Sequence, residues 1–548
     1  MLLRHLSAGT CSLAAAAAAA ATAIIGLTAQ QGLAFVPHPP RQPLLPRGKR
    51  YQFSSSTTRP LRCGTSTPSA RAEEWREAVL PFLPPDHCRT ASPAESLGRG
   101  EWFKLICGAS FEAISHLFAE QDLPAIRDLS LVYTLAGADC IDVAAEEAVI
   151  EAARDGVIAA LGVAEAIGKP MRMPWLMMSV NDDEEDPHFR KAAFDPNLCP
   201  AADCPRPCET VCPADAVVFP DSAPPPAQRA AMVGELLRAS AGGGVLGPRC
   251  YGCGRCITVC PPGIIRAEKY KRSPGVVREL LEKVDGVEIH TKGNLASFRE
   301  LWGECVAAAA SRPQFRVVAV SFPDLGDNTG LAVATMGAVM DSGPGREGQG
   351  GGGEGSEATS ARTRGTDFEV AGEQKIGGRA LNVWQTDGRP MSGDIGTGAT
   401  AACIRLAEKV LDTRALPFGE GQHFVQLAGG TNDRTAHRLR EMGLIGHDYD
   451  GGGGDGDGDG SDCRSQASYA LQDRSQDHHR RQQQPPPPWQ ERRRRVGGVA
   501  YGGYARKAVG RALDRLPGKG AGRVEDHPEV LSAALREASL LVGGLKQP

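Results

Sequence analysis

The sequence predicts an α/β protein. Eight β/α units would form a (β/α)8 barrel-like domain, with a cysteine-rich module inserted after the third unit. Three observations carry this reading. Eight short apolar runs alternate with amphipathic helical spacing, the pattern of buried parallel strands and their covering helices. The alternation breaks once, over residues 181–272. That break holds eight of the chain's 16 cysteines. Eight units is the number that closes such a barrel. An open doubly wound α/β sheet is the alternative, because periodicity does not report closure.

The first units occupy 100–180. "WFKLICGAS", near 103, precedes the helical spacing of "AIRDLSLVYTLAGA"; "DCIDVA", near 139, precedes "EEAVIEAARDGVIAALGVAEAIG"; "MPWLMMSVN", near 175, is the third run. The remaining units occupy 273–545. Their runs are "GVEIHTKG" near 287, "FRVVAVSFP" near 317, "ALNVWQTDG" near 381, "HFVQLAGG" near 423 and "RVGGVAYGG" near 496. Two insertions interrupt this second block. Residues 341–367 are Gly-rich and polar, and 448–495 run from Asp-Gly repeats through Gln and Pro to Arg. Neither buries enough apolar surface to offset its ordering entropy, so both are expected to be disordered. The Asp-Gly repeat lacks the spaced bidentate Glu of a calcium loop.

Charge is distributed unevenly. Residues 1–72 contain eight Lys or Arg and no acid, which leaves 53 basic against 65 acidic residues in the body. A mildly acidic body argues against nucleic acid as the main partner. The leader starts basic, runs through poly-Ala to "GLA-FVP", and continues rich in Arg, Ser, Thr and Pro. A signal segment followed by a transit segment is a bipartite plastid address, with a cut after Ala34. The expected location is the chloroplast (plastid stroma). Poly-Ala is too weakly apolar for an anchor, so no membrane contact is expected of the mature form.

The cysteines are crowded. Cys250, Cys253, Cys256 and Cys260 follow C-x2-C-x2-C-x3-C-P. Two-residue gaps let a looping backbone aim three thiolates at one iron–sulfur cubane, and the fourth Cys ligates a neighbouring cluster. A partner motif is therefore required. Cys199, Cys204, Cys208 and Cys212, followed by Pro213, supply it. The expected sets are Cys250, Cys253 and Cys256 with Cys212, and Cys199, Cys204 and Cys208 with Cys260. Each would hold a 4Fe-4S cluster in a 2[4Fe-4S] ferredoxin-like module. The first motif has gaps of four and three, stiffened by Pro200, Pro205 and Pro207, which leaves a three-iron cluster open there. Structural zinc wants two separated C-x2-C pairs and does not fit.

Other candidates stand at the ends of the apolar runs, where barrel active sites lie. These are His290, Thr291 and Lys292; Asp387, Arg389 and Asp394; Thr431 and Asn432; and Tyr501, Tyr504 and Arg506. The Gly-rich turns "GDIGTG" (with Gly396 and Gly398) and "AGGTN" (with Gly429 and Gly430) open helices and present N–H groups that can cradle an anion or cofactor. Equally they serve as tight loops and helix caps. His188 and Arg190 would gate the clusters or anchor the module. Cys107 and Cys140 read as buried core thiols, with a redox pair as the alternative.

Eight segments together resemble one family: "FKLICGASF", "LAGADCIDVA", "DPHFRKAAFDP", "CPRPCETVCPADAV", "PRCYGCGRCITVCPPGII", "DGRPMSGDIGTGAT", "VQLAGGTN" and "GVAYGGYARKA". They are similar to the light-dependent period (LdpA) family, over roughly 100–545 apart from the insertions. The resemblance implies iron–sulfur proteins that, in cyanobacteria, are implicated in redox input to the circadian clock. It implies two clusters and a distinctive C-terminal domain. The functional expectation is redox sensing or electron transfer in the plastid, with an unidentified redox donor or acceptor as partner. The alternative is an oxidoreductase in which the clusters feed electrons to a substrate or cofactor at the barrel mouth.

Overall fold

The computed structural model describes residues 68–107, 123–186, 188–200, 203–212, 214–219, 244–247, 249–341, 380–387, 399–413, 422–446, 495–517 and 522–546. Eight parallel strands close into a barrel. They are β1 (Trp102–Ile106), β2 (Cys140–Ala144), β3 (Trp175–Asn181), β8 (Gly286–His290), β9 (Val317–Phe322), β10 (Leu381–Thr386), β11 (His423–Leu427) and β12 (Gly498–Tyr501). Each lies at one of the eight apolar runs. Closure is made by β12 beside β1, with Trp102 opposite Gly498 and Leu105 opposite Tyr501, so the open-sheet alternative falls. Only glycine fits at 498, since a Cβ there would sit 2.1 Å from the Trp102 carbonyl oxygen.

Helices cover the outside. Leu123–Ala136, Glu147–Ala166, Thr329–Asp341, Ala399–Leu411 and Gly503–Leu513 follow β1, β2, β9, β10 and β12. Their apolar faces pack on the outward residues of the strands in one large core. The C-terminal helix Pro528–Lys546 packs against Gly503–Leu513 and Leu123–Ala136. Its buried Lys546 reaches Asp139 Oδ2 at 2.7 Å. Helix Pro68–Val79 lies against the same helix. Trp75 Nε1 donates to the Glu525 carbonyl at 2.8 Å, and Arg71 pairs with Asp526. The last five residues of the acid-free 1–72 stretch are thus helical; residues 1–67 lie outside the described residues, as do 342–379 and 447–494.

Inside, the barrel is layered. The end at the strand N-termini is apolar: Trp102, Cys140, Met177, Val317, Ala319, Leu381 and Val383 pack together, closed below by Leu97. Leu97 is carried by helix Pro93–Arg99, whose start is fixed by a reciprocal Ser92–Glu95 capping box and whose end turns at Gly100, φ 78°. Toward the strand C-termini the interior becomes polar. The cysteine module enters between β3 and β8. These two strands nonetheless pair directly, Met177 opposite Gly286 through Asn181 opposite His290.

Candidate metal centre

Among its described residues the module shows two short antiparallel pairs and two short α-helices. β4 (Arg190–Ala193) pairs with β7 (Arg266–Lys269), and β5 (Val217–Val218) pairs with β6 (Gly244–Val245). The helices are Pro207–Thr210 and Arg255–Val259. The backbone repeats between the halves although the cysteine gaps do not. Two residues before Cys208 stands Arg206 at φ 51°, and two before Cys256 stands Gly254 at φ 74°. Three residues after Cys212 stands Asp215 at φ 47°, and three after Cys260 stands Gly263 at φ 66°. Left-handed backbone costs an ordinary residue roughly 1–2 kcal/mol. The Arg206 guanidinium lies over the Phe219 ring at 4.5 Å, a contact that helps hold the strained turn.

The thiols sort into two groups that cross between the loops. Burial pushes Cys256 up to about 12, and the thiols of Cys253, Cys250 and Cys212 push it the same way. Cys253 is likewise raised by burial and by Cys212 and Cys250. Cys199 is raised by burial and by Cys204 and Cys260; Cys208, by burial and by Cys260 and Cys199. Cys212 therefore sits with the second motif and Cys260 with the first. Raised in this way, Cys199, Cys208, Cys253 and Cys256 keep their protons at neutral pH unless a cation at the centre displaces them.

The surroundings suit a cluster. Cys212, Cys250, Cys253 and Cys256 line a small pocket with Ala192, Ala214, Ala216, Val217 and Val245. The backbone N–H of Ala216 donates to Cys212 Sγ at 3.1 Å, the kind of hydrogen bond that tunes a ligating thiolate. Among the described residues no three His, Cys, Asp or Glu side chains gather tightly enough for one metal ion. Thiols grouped in fours, three from one motif and one from the other, suit an iron–sulfur core.

The comparisons agree. The family model described as the LdpA Fe–S cluster-binding domain matches residues 199–271, across all eight of these cysteines. The Light dependent period A C-terminal domain matches 374–544. A curated protein of Synechococcus elongatus, "Light dependent period A", is 36% identical over 458 residues, covering 83% of this chain and 94% of its own length. The chain belongs to the LdpA family. No solved structure matches it.

In this member of the family the module is tied to the barrel mouth through its two necks. Asn181 Nδ2 donates to the Tyr270 carbonyl at 2.8 Å, and the Tyr270 N–H donates to the Phe189 carbonyl at 3.1 Å. The Tyr270 ring lies 4.8 Å from Lys191 Nζ, and its hydroxyl donates to Glu146 Oε1 at 3.2 Å. Phe189 sets its edge to His290 with ring centroids 5.1 Å apart, and His188 lies 6.0 Å from the same ring. His188 and Arg190 thus stand in the neck, at the join.

Beneath His290 lies a polar cluster that the sequence reading missed. Lys104 is fully buried and pairs with Glu288 and, at 3.3 Å, with Asp142 Oδ2. Glu288 Oε1 receives His290 Nε2 at 2.8 Å and Gln385 Nε2 at 2.7 Å. Ser179 donates to Asp142 at 2.8 Å, and Ser321 donates to Asp387 at 2.8 Å. Burial opposes the charge on Lys104, yet Glu288 and Asp142 reverse this and raise it above its usual value. Burial likewise pushes Glu288 up, and Lys104 and His290 bring it well below the carboxylate range. The signal was available: "WFKLI", "CIDVA" and "GVEIH" each place one charge at the centre of an apolar strand, which is costly unless charges meet.

The described residues among the predicted cofactor set make contacts within the fold. Tyr501 points outward into the helical layer, stacked on Phe103 at 4.8 Å, because it lies in register with outward Leu105. It does not face the mouth. Thr431 Oγ1 is buried and donates to the Ala500 carbonyl at 2.6 Å. Gly429 and Gly430 have φ 68° and 63°, and a Cβ would meet the Asp387 carbonyl oxygen at 2.7 Å and Ala399 Cβ at 2.2 Å. Asn432 Oδ1 accepts from the Arg434 N–H at 3.0 Å. These contacts are those of a crowded turn. Gly396, Gly398, Arg389 and Asp394 lie outside the described residues. Lys292 is one-third exposed, 3.6 Å from Asp183. Tyr504 is exposed, and Arg506 clamps the Ile106 carbonyl at 2.9 Å. Cys140 lies inside the barrel and Cys107 outside, 3.9 Å from Ser130. The wall between them removes the redox pair.

Proposed function

We propose that the chain binds two 4Fe-4S clusters and works in redox sensing or electron transfer in the plastid. Cys212, Cys250, Cys253 and Cys256 hold one cluster. Cys199, Cys204, Cys208 and Cys260 hold the other. The observation that carries this is the exchange of Cys212 and Cys260 between the two thiol groups, the ligand pattern of two-cluster ferredoxins. The clusters supply one-electron chemistry; the chain's part is to bury the thiolates, donate hydrogen bonds to them and shape their access to solvent. The acid-free leader supports the plastid location. Anaerobic purification with iron and sulfide counting tests the assignment. About eight irons and eight sulfides per chain are expected, and zinc without acid-labile sulfide would overturn it. A second reading, electron delivery to a substrate at the barrel mouth, is favoured by the polar cluster around Glu288.

A further inference from the structure

We propose that the polar interior of the barrel is a proton-binding site coupled to the metal centre, taking up one proton from solvent when the centre at Cys212, Cys250, Cys253 and Cys256 gains one electron. The inference rests on the cluster assignment above.

Contact comes first. The Cys250 thiol is close enough to perturb Tyr270. Tyr270 meets Phe189 edge-on with ring centroids 6.4 Å apart, and Phe189 meets His290 at 5.1 Å. His290 then joins Glu288 and Lys104. Cys253 packs on the barrel's main core, whereas Cys212, Cys250 and Cys256 pack with Cys199, Cys208 and Cys260 in the module's own small one. The barrel interior therefore senses one centre more closely than the other.

Charge comes second. Among the described residues, Asp142 from β2, Glu288 from β8, Asp387 after β10 and Asp186 from the neck meet at this end of the barrel, with buried Asp182 beside Asp186. Lys104 from β1 and the imidazole of His290 from β8 oppose them there, with His188 above. A buried site with more carboxylates than cations holds protons as well as ion pairs. Asp142 is the group that titrates in the neutral range. Burial pushes it up to about 7 and Glu288 adds to this, while Lys104, Ser179 and His290 pull it down. The thiol of Cys140 also faces it. A negative charge arriving nearby raises the proton affinity of such a group.

A proton route comes third. His290 is 15% exposed, and its Nδ1 stands 3.7 Å from Asp186 Oδ2 with no hydrogen-bond partner. Its Nε2 bonds to Glu288. Both ring nitrogens are buried, so the ring links Asp186 of the neck to the buried cluster, and its partly exposed edge lies beside that path. The step balances. One electron from an external one-electron donor enters the metal centre, one proton from water binds an Asp142 carboxylate oxygen, and reoxidation releases both.

The test is an EPR-monitored redox titration of the full, anaerobically reconstituted chain, with dithionite as donor, at several values between about pH 6 and pH 8. The signal abolished by Cys253→Ala should shift its reduction equilibrium by up to about tenfold per pH unit above pH 7, at most about 59 mV for one electron, and flatten below pH 7, where Asp142 already holds its proton. The signal abolished by Cys208→Ala should shift far less. Asp142→Asn should flatten the first slope. If that variant does not fold, the comparison of the two signals in the unsubstituted chain still decides. Two flat signals, two equal slopes, or an unchanged slope in Asp142→Asn would overturn the proposal. Absence of both signals would overturn the cluster assignment instead.

Discussion

Arg206 and Gly254 occupy equivalent positions in the two halves of the module, each in left-handed backbone two residues before a buried cysteine. One is the most permissive residue for that conformation; the other is held by its stack on Phe219. Gly254→Ala should therefore cost about 1 kcal/mol, seen as a lower urea midpoint for loss of the module's visible absorption. Arg206→Gly should be nearly neutral. Relieved strain is offset by the greater freedom of glycine in the unfolded chain and the lost cation–π contact, each about 0.5–1 kcal/mol.

The proposed crossing of ligands makes a pairing rule. Cys212→Ala and Cys253→Ala should remove the same EPR signal and about half of the iron. Cys260→Ala and Cys208→Ala should remove the other. If Cys212→Ala instead matched Cys208→Ala, the two loops would not exchange their last ligand.

Glu288 compensates a lysine with no exposure at all. Glu288→Gln should destabilise the barrel by about 3–5 kcal/mol, because Lys104 is left with Asp142 alone in a dry interior. Pairing Glu288→Met with Lys104→Met should recover much of that loss. Urea unfolding followed by far-UV circular dichroism reads both.

The imidazole at the mouth gives stability a pH dependence. Burial opposes its charge, but Glu288, Asp186 and Asp387 prevail and lift His290 from 6.5 to about 9. A His raised on folding contributes stability that is whole below pH 6.5 and lost as pH rises through 9. A fall of roughly 3 kcal/mol across that window is expected, and His290→Gln should flatten it. Asp142, raised from 3.8 to about 7, also favours the folded state at low pH. Its loss falls earlier, between those two values, so the two groups separate on the pH axis.

Strand positions were legible because each buried strand is a short apolar run beside a long amphipathic helix. Which face a strand residue takes was not. Both faces of a barrel wall are buried, so alternation carries no polarity mark, and Tyr501 and Cys107 read the same inside or out. Closure settles it, by setting Tyr501 beside Leu105 and sending Lys104, Asp142 and Glu288 inward. The iron–sulfur site was legible because the cysteine spacing itself points to one. The join of module to barrel was not, since Phe189 on His290 is a contact between chain segments about a hundred residues apart.

The module leaves and re-enters the barrel at one point. β3 and β8 already pair across it, and Tyr270 binds the backbone of Phe189 where the two necks meet. The cysteine segment is therefore a cassette on a single stalk. Splicing it out between those necks would leave the wall intact, so an ancestral barrel could have gained its inorganic cargo in one insertion without relearning how to fold.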